Sequence, residues 1–399
     1  MASEQPTPLT SVWKTGLAFR PFFWLGSVYL ICALLAWLFF WSGQTTLQPL
    51  GGMLWWHQHE LLFGFISAII AGFLLTAVQS WTASPSLTGP TLWILVLIWG
   101  AARLLTAFPM GINPYWILFI DTLFLPLVAL VMAVLVIKAK KWRNLAFTPI
   151  LLLLTVANIA MHLGHITAQA QLTQHGAYLS IWLIVGLMVL LGGRVIPFFT
   201  SRALHLELQT TPTIYEKSAL LSTLFICVIA LLFLFNIPTP KWLFSTVLII
   251  FIAANSIRLW YWQPWRCLHH PLLWSLHLSY AFILLGAVFW LLGLWQPLLL
   301  RLALHLITIG GMLALILSMI ARVSLGHTGR PMLALPGFSL AMLCVFSAAL
   351  IRAIVPAFLP NWILLAYQSS LILCIFAFVW FIAQYTPILW QPRIDHQPG

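Results

Sequence analysis

Residues 55–81 read WWHQHELLFGFISAIIAGFLLTAVQSW, and this stretch decides how the chain folds. Two histidines and a glutamate, His57, His59 and Glu60, stand at the mouth of an apolar run about one bilayer thick. A run of roughly 20 apolar residues spans a bilayer as a helix. Ionisable groups at such a depth are costly to desolvate, so they carry a partner or a task. The imidazoles there are either metal or haem ligands or interfacial histidines that stay wet.

The rest of the chain repeats the pattern. Of 399 residues 62% are hydrophobic and only 6% charged, and the mean hydropathy is +1.02. Such a composition excludes a soluble globular domain. Runs long enough to span fall near 22–42, 59–81, 91–108, 114–137, 145–168, 176–200, 218–236, 241–260, 272–294, 298–321, 335–355 and 361–385. The fold expected is therefore an all-α integral membrane protein of about twelve helices. The third run is the shortest and carries Arg103 near its end. The connections are short, so residues 1–399 are expected to form a single polytopic membrane domain. Residues 1–20 are polar and no cleavable leader is expected.

The excess of 18 Lys+Arg over 6 Asp+Glu is a topology signal here, not a nucleic-acid footprint. With the N-terminus inside, Lys14, Arg20, Lys138, Lys140, Lys141, Arg143, Arg202, Lys217, Arg258, Arg266, Arg322, Arg330 and Arg393 fall on the cytoplasmic side. Little beyond Lys241 and Arg301 falls on the other. Both termini are thus expected to be cytoplasmic. The five cysteines are scattered and no CxxCH motif is present, so a covalent c-type haem is not expected.

This topology assigns depths. His57, His59 and Glu60 open helix 2 on the outer side, and His162 and His165 lie in the outer third of helix 5. Asp121 on helix 4 sits at a similar depth. His305 lies about 10 Å below the outer end of helix 10, at 1.5 Å per residue. Five histidines and two carboxylates from four helices share one layer. His162 and His165 are three residues apart and leave one helical face, with Asn158 one turn from His162. They suit either a metal, or one haem ligand with its hydrogen-bonded neighbour, or a helix–helix hydrogen bond. His57 and His59 are two apart, so within a helix they point about 200° from each other. His305, paired with His59 across the bundle, is a candidate axial haem ligand. Glu60 and Asp121 are the carboxylates placed to pass protons.

A second group lies toward the cytoplasm: Arg194 in Leu191-Gly-Gly-Arg-Val-Ile-Pro197, His277, Arg322 and His327. Arg194 and Arg322 are either topology anchors or partners of a buried anion such as a haem propionate or a quinone headgroup. Arg202, Arg258 and Arg266 are read as anchors, and Cys267-Leu-His-His270 as a loop. Helices 2, 6 and 10 share glycines and alanines at packing spacing. In number and in histidine placement the helices resemble the catalytic subunits of haem-copper oxidases, although His305 stands alone on helix 10.

Phe19-Arg-Pro-Phe-Phe23, Trp56-His-Gln-His-Glu60 leading into Phe63-Gly-Phe65, Ala71-Gly-Phe-Leu-Leu-Thr76, Gly192-Gly-Arg-Val-Ile-Pro-Phe-Phe199 and Arg322-Val-Ser-Leu-Gly-His-Thr-Gly-Arg-Pro331 together resemble the NnrS family over nearly the whole chain. The resemblance implies a multi-pass protein of the bacterial inner membrane that binds haem b (one or two), contains copper or a second metal, and protects against nitric oxide. On the matching motifs it carries over His57, His59, Glu60, Arg194, Arg322 and His327. The activity expected is reduction of two NO to N2O with a membrane quinol as electron donor, in a chain with no soluble electron-carrier domain. A haem or copper protein that binds or senses NO without turnover is the alternative, and a transporter is the third. A transporter is expected to carry broken helices in inverted repeats with polar groups at the midplane.

Overall fold

The computed structural model describes residues 16–207 and 210–395. Lys14, one of the expected cytoplasmic cations, lies outside the described residues. Twelve helices are long and apolar enough to cross a membrane: α1 Phe19–Trp41, α2 Gly52–Thr82, α3 Gly89–Ala107, α4 Pro114–Lys138, α5 Trp142–Ile166, α6 Ala170–Leu204, α7 Thr213–Leu234, α8 Lys241–Tyr261, α9 Pro271–Gly293, α10 Pro297–His327, α11 Phe338–Phe358 and α12 Pro360–Trp390. No strand occurs among the described residues. Each helix overlaps one of the apolar runs, including α3 around Arg103.

Two boundaries differ from the expectation with consequences for the site. Helix α2 begins at Gly52, seven residues before the apolar run, so His57 and His59 are both helical. Helix α10 continues to His327, so Ser324 to His327 form its last turn where a loop was expected. Polar residues at these ends keep helical hydrogen bonds within the chain, and hydropathy alone does not register them.

The helices pack as a closed ring. Sequence neighbours adjoin from α4 round to α12, α12 returns to α1, and α2 lies against both α1 and α4. Helix α3 stands outside and leans on α4 and the N-terminal half of α2. Helices α2, α6 and α10 are the most enclosed. Their glycines permit this. A Cβ on Gly72 would come within 2.8 Å of Phe22 on α1, and one on Gly311 within 2.6 Å of Ile283 on α9. Close backbone approach is what associates helices once all surfaces are equally apolar. The outer faces carry exposed Leu, Ile, Phe and Trp, among them Leu97, Leu130, Phe225 and Leu343, as a bilayer-facing surface requires.

Three local distortions position the polar groups. In α2 the segment Glu60–Ile66 is π-helical, and in α10 so is Leu306–Leu313. Each begins at the residue after a histidine, His59 and His305. Single π turns insert a residue, rotate what precedes them, and often accompany functional sites. In α4, Pro126 removes a backbone donor and crowds the carbonyl of Thr122. The helix accordingly divides into Pro114–Thr122 and Phe124–Lys138, with Asp121 at the end of the first piece.

Candidate functional site

A guanidinium holds the site together. Arg103, on α3, is buried, and its two terminal nitrogens reach two different helices. Nη1 donates to Glu60 Oε2 on α2 at 2.5 Å, and Nη2 donates to Asp121 Oδ1 on α4. Tyr29 Oη on α1 also donates to Glu60 Oε2. The other carboxylate oxygens face two imidazoles. His59 Nδ1 is 2.9 Å from Glu60 Oε1. His59 Nε2 is 2.8 Å from Asn158 Oδ1 and 3.2 Å from Asp121 Oδ2. His162 Nε2 and Asn158 Nδ2 both reach Asp121 Oδ2, at 3.0 and 2.8 Å. Five helices meet here: α1, α2, α3, α4 and α5.

The apolar surroundings fix this geometry. Trp55 stacks on the His59 ring at 4.5 Å and 10°, and its indole N–H donates to Met161 O on α5 at 3.1 Å. Trp99 Nε1 donates to Gly64 O at 2.9 Å and so ties α3 to the π segment of α2. Gly64 is where it is because of the cluster. A Cβ there would lie 2.7 Å from Glu60 Oε2, 2.7 Å from Tyr29 Cε1 and 3.0 Å from Arg103 Nη1. His59 and Glu60 have no exposed surface, and Asp121 has 3%.

Two carboxylates and one guanidinium leave one negative charge in a buried site. Uncompensated charge in such a place costs several kcal/mol, on the order of 3–5 when a buried pair is broken. A proton on an imidazole or a bound cation supplies the balance. His59, Asp121 and His162 each offer a ligand atom, all within 4.8 Å of one another, and among the described residues this is the group of three that could hold a metal ion. Two imidazoles and a carboxylate suit Cu(II), Fe(II) or Zn(II). His162 Nδ1 is buried without a protein partner. That leaves the ring free to turn toward an ion. The donor set therefore fits a metal.

The other expected site residues are distributed as follows. His57 faces away from His59, as their spacing requires, and stacks on Trp37 of α1 at 4.3 Å and 9°. It lies within electrostatic range of His305 on α10 and of Arg352 on α11. The structure thus sets His305 near His57, whereas the sequence reading paired it with His59. His305 Nδ1 bonds to Arg301 O at 3.1 Å, which leaves Nε2 as the lone-pair nitrogen, and His57 Nδ1 has no partner. Arg352 lies 3.6 Å above the Tyr367 ring. His165 shares its face with His162 and lies 5.7 Å from the Trp55 ring.

Toward the opposite end of the bundle, His277 Nδ1 donates to Leu273 O at 2.9 Å, with Nε2 3.4 Å from Thr200 Oγ1. Cys267 adjoins the same threonine, and burial pushes its thiol above the usual range. Arg194 donates to Asn144 Oδ1 at 3.0 Å. Arg322 lies 3.9 Å above the Phe199 ring, with Nε buried and unpartnered. One turn from Phe199, helices α2, α6 and α10 border a partly open apolar crevice lined by Ile66, Met188, Leu191, Ile316 and Met319 among others.

Sequence reasoning missed Arg103, Tyr29 and Arg258 as site-forming groups. Arg258 was read as a cytoplasmic anchor and is instead 1% exposed. It bonds Glu216, Asn255 and Tyr280 at 3.1, 2.9 and 3.1 Å, packed where Gly193 of α6 leaves room. For Arg103 a signal existed: an arginine inside an apolar segment needs a buried partner, and Glu60 and Asp121 were the acids within the apolar runs.

No curated protein matches this sequence. A family model described as NnrS protein matches residues 14–393, nearly the whole chain.

Proposed function

The chain belongs to the NnrS family, which makes it a multi-pass membrane protein of the nitric oxide response, and from that premise we propose that it is a quinol-dependent nitric oxide reductase of the bacterial inner membrane. The observation that carries the proposal is the buried His59–Asp121–His162 set, closed by Glu60 and Arg103, inside an apolar bundle. NO is small and apolar and partitions into the bilayer, so it reaches such a site laterally. The balanced reaction is 2 NO + 2 e⁻ + 2 H⁺ → N2O + H2O. Side chains supply neither the electrons nor a redox-active centre.

On this reading there are two cofactor positions. His59, Asp121 and His162 would hold copper or another second metal. His57 and His305 would hold haem b, with Arg352 as a carboxylate partner beside them. His165, His277 and His327 stand as further candidate ligands. When bound, the metals supply the electron transfer and the polarisation of NO. The protein's own residues do the rest. Glu60 and Asp121 hold or pass protons, each fixed by Arg103, and Asn158 orients His59 against Asp121. The apolar crevice between α2, α6 and α10 is the place assigned to the quinol, with Arg322 beyond its end on α10 and Arg194 on the same turn of α6 as the lining residues Gly192 and Val195.

The test is anaerobic NO consumption by the purified protein with a reduced quinol, with N2O quantified beside haem and metal analysis. Stoichiometric N2O, lost in His59→Ala and Asp121→Asn, supports the reductase. Metal or haem without turnover favours a second reading, for which one observation speaks. All four oxygens of Glu60 and Asp121 are already bonded by protein donors, as suits a protein that binds NO and does not convert it.

A further inference from the structure

At the inner ends of α1, α10 and α12 a second polar cluster forms, separate from the site above. Arg20 opens α1 and has no exposed surface. Its Nη1 donates to Leu389 O and Gln391 O, both at 2.7 Å, at the end of α12. Among the described residues its buried Nε and Nη2 have no acceptor. These two atoms form one edge of the guanidinium, the edge that binds an oxyanion side-on with two parallel hydrogen bonds.

Two more arginines converge on the same place. Arg330 and Arg393 lie within electrostatic range of Arg20. Arg330 donates from Nη2 to Gln391 Oε1 at 3.0 Å, while its Nη1 is buried without an acceptor. Burial pulls the Arg330 guanidinium below its ordinary range. Arg393 donates to His327 O at 3.3 Å and grips Asp395 with two bonds, at 2.8 and 2.6 Å. The His327 ring closes the group, 5.5 Å from the Phe19 ring and under the charge of Arg20 and Arg393. The segment Gln391–Asp395 forms the outer wall, held by the Ile394 N–H on Thr328 O at 3.2 Å. Among the described residues, three guanidiniums thus meet one carboxylate. A protein does not ordinarily bury a full charge with its donors unsatisfied.

We propose that this cluster is an anion site for a phosphate group, with the Nε–Nη2 edge of Arg20 as the bidentate clamp and Arg330 Nη1 as the third donor. Phosphate supplies three acceptor oxygens to the three orphaned donors and takes up charge that Asp395 leaves unbalanced. Two sources share this chemistry, the headgroup of an anionic phospholipid and free inorganic phosphate. By the loop-cation rule the site is on the cytoplasmic face, where both occur.

The test uses the full chain in neutral detergent, its melting temperature followed by tryptophan fluorescence. Inorganic phosphate and short-chain phosphatidylglycerol are titrated separately, with chloride at equal ionic strength as reference. Arg330 is partly exposed, and Arg330→Met is expected to keep the ligand-free melting temperature while weakening the apparent affinity about tenfold or more, as loss of one charge-assisted hydrogen bond does. Arg20→Met removes the clamp and also a tie to α12, so Arg330→Met decides. Stabilisation by inorganic phosphate alone identifies a free-phosphate site, and stabilisation only by the lipid identifies a headgroup site. If neither stabilises the protein, or if Arg330→Met responds like the wild type, the proposal is overturned.

Discussion

Arg103→Met is the substitution through which the site reveals most about itself. The side chain is buried against Glu60 on α2 and Asp121 on α4 through different nitrogens. Methionine keeps most of the stem's apolar volume and removes the charge. The carboxylates then face each other with the imidazoles, Tyr29 and Asn158 as their remaining partners. Breaking a buried pair by deleting one member costs about 3–5 kcal/mol. Here two pairs share one cation, so the costs do not simply add. Arg103→Lys separates charge from geometry. An ammonium is a point charge and reaches one carboxylate well, whereas the planar fork reaches both. The lysine variant loses about one charge-assisted hydrogen bond, on the order of 1.5–3 kcal/mol. Equilibrium unfolding in mixed micelles with increasing sodium dodecyl sulfate, followed by tryptophan fluorescence, measures both. The expected order is wild type, Arg103→Lys, Arg103→Met. Adding Glu60→Gln to Arg103→Met removes one buried negative charge and is expected to recover part of the loss. A methionine variant as stable as the wild type would refute the view that this guanidinium clamps α2, α3 and α4 together. Equal losses for lysine and methionine would refute the role assigned to the two-pronged geometry.

Gly64→Ala places a methyl group against Glu60, Tyr29 and Arg103 and is expected to destabilise by about 1–3 kcal/mol, the usual cost of overpacking; unchanged stability would mean that the π segment yields freely. His162→Ala is expected to lower bound copper or zinc, measured by elemental analysis of purified protein, while His165→Ala leaves it unchanged, because of these two histidines His162 reaches Asp121 and His165 does not. Equal losses in both variants would count against the His59–Asp121–His162 site. Burial raises the Cys267 thiol, so it stays neutral at pH 7 and gains reactivity only as pH rises past the ordinary thiol range. In a variant with the other four cysteines replaced, maleimide labelling at pH 7 is expected to be slow and to accelerate with alkaline pH; fast labelling at neutral pH would contradict this.

Much of the fold was legible because hydropathy is a local property. Each apolar run must satisfy its own backbone hydrogen bonds in a bilayer, so length and composition alone yield twelve helices. The i,i+2 spacing of His57 and His59 already required opposite directions, and the structure turns one toward α4 and α5, the other toward α1 and α10. Glu60, Asp121, Asn158 and His162 were each legible as chemistry-bearing residues at one depth. Depth along a helix follows from counting residues. Rotation and neighbour choice do not, because they depend on how twelve helices share surfaces of nearly equal hydrophobicity. Only the tertiary structure could therefore place Arg103 between two carboxylates, bury Arg258 against Gly193, and move His305 from the expected company of His59 to that of His57. The same holds for Arg20, whose charge reads as a loop anchor in the sequence. Its burial against the end of α12 is a contact across 369 positions of the chain, and no local pattern encodes a contact of that range.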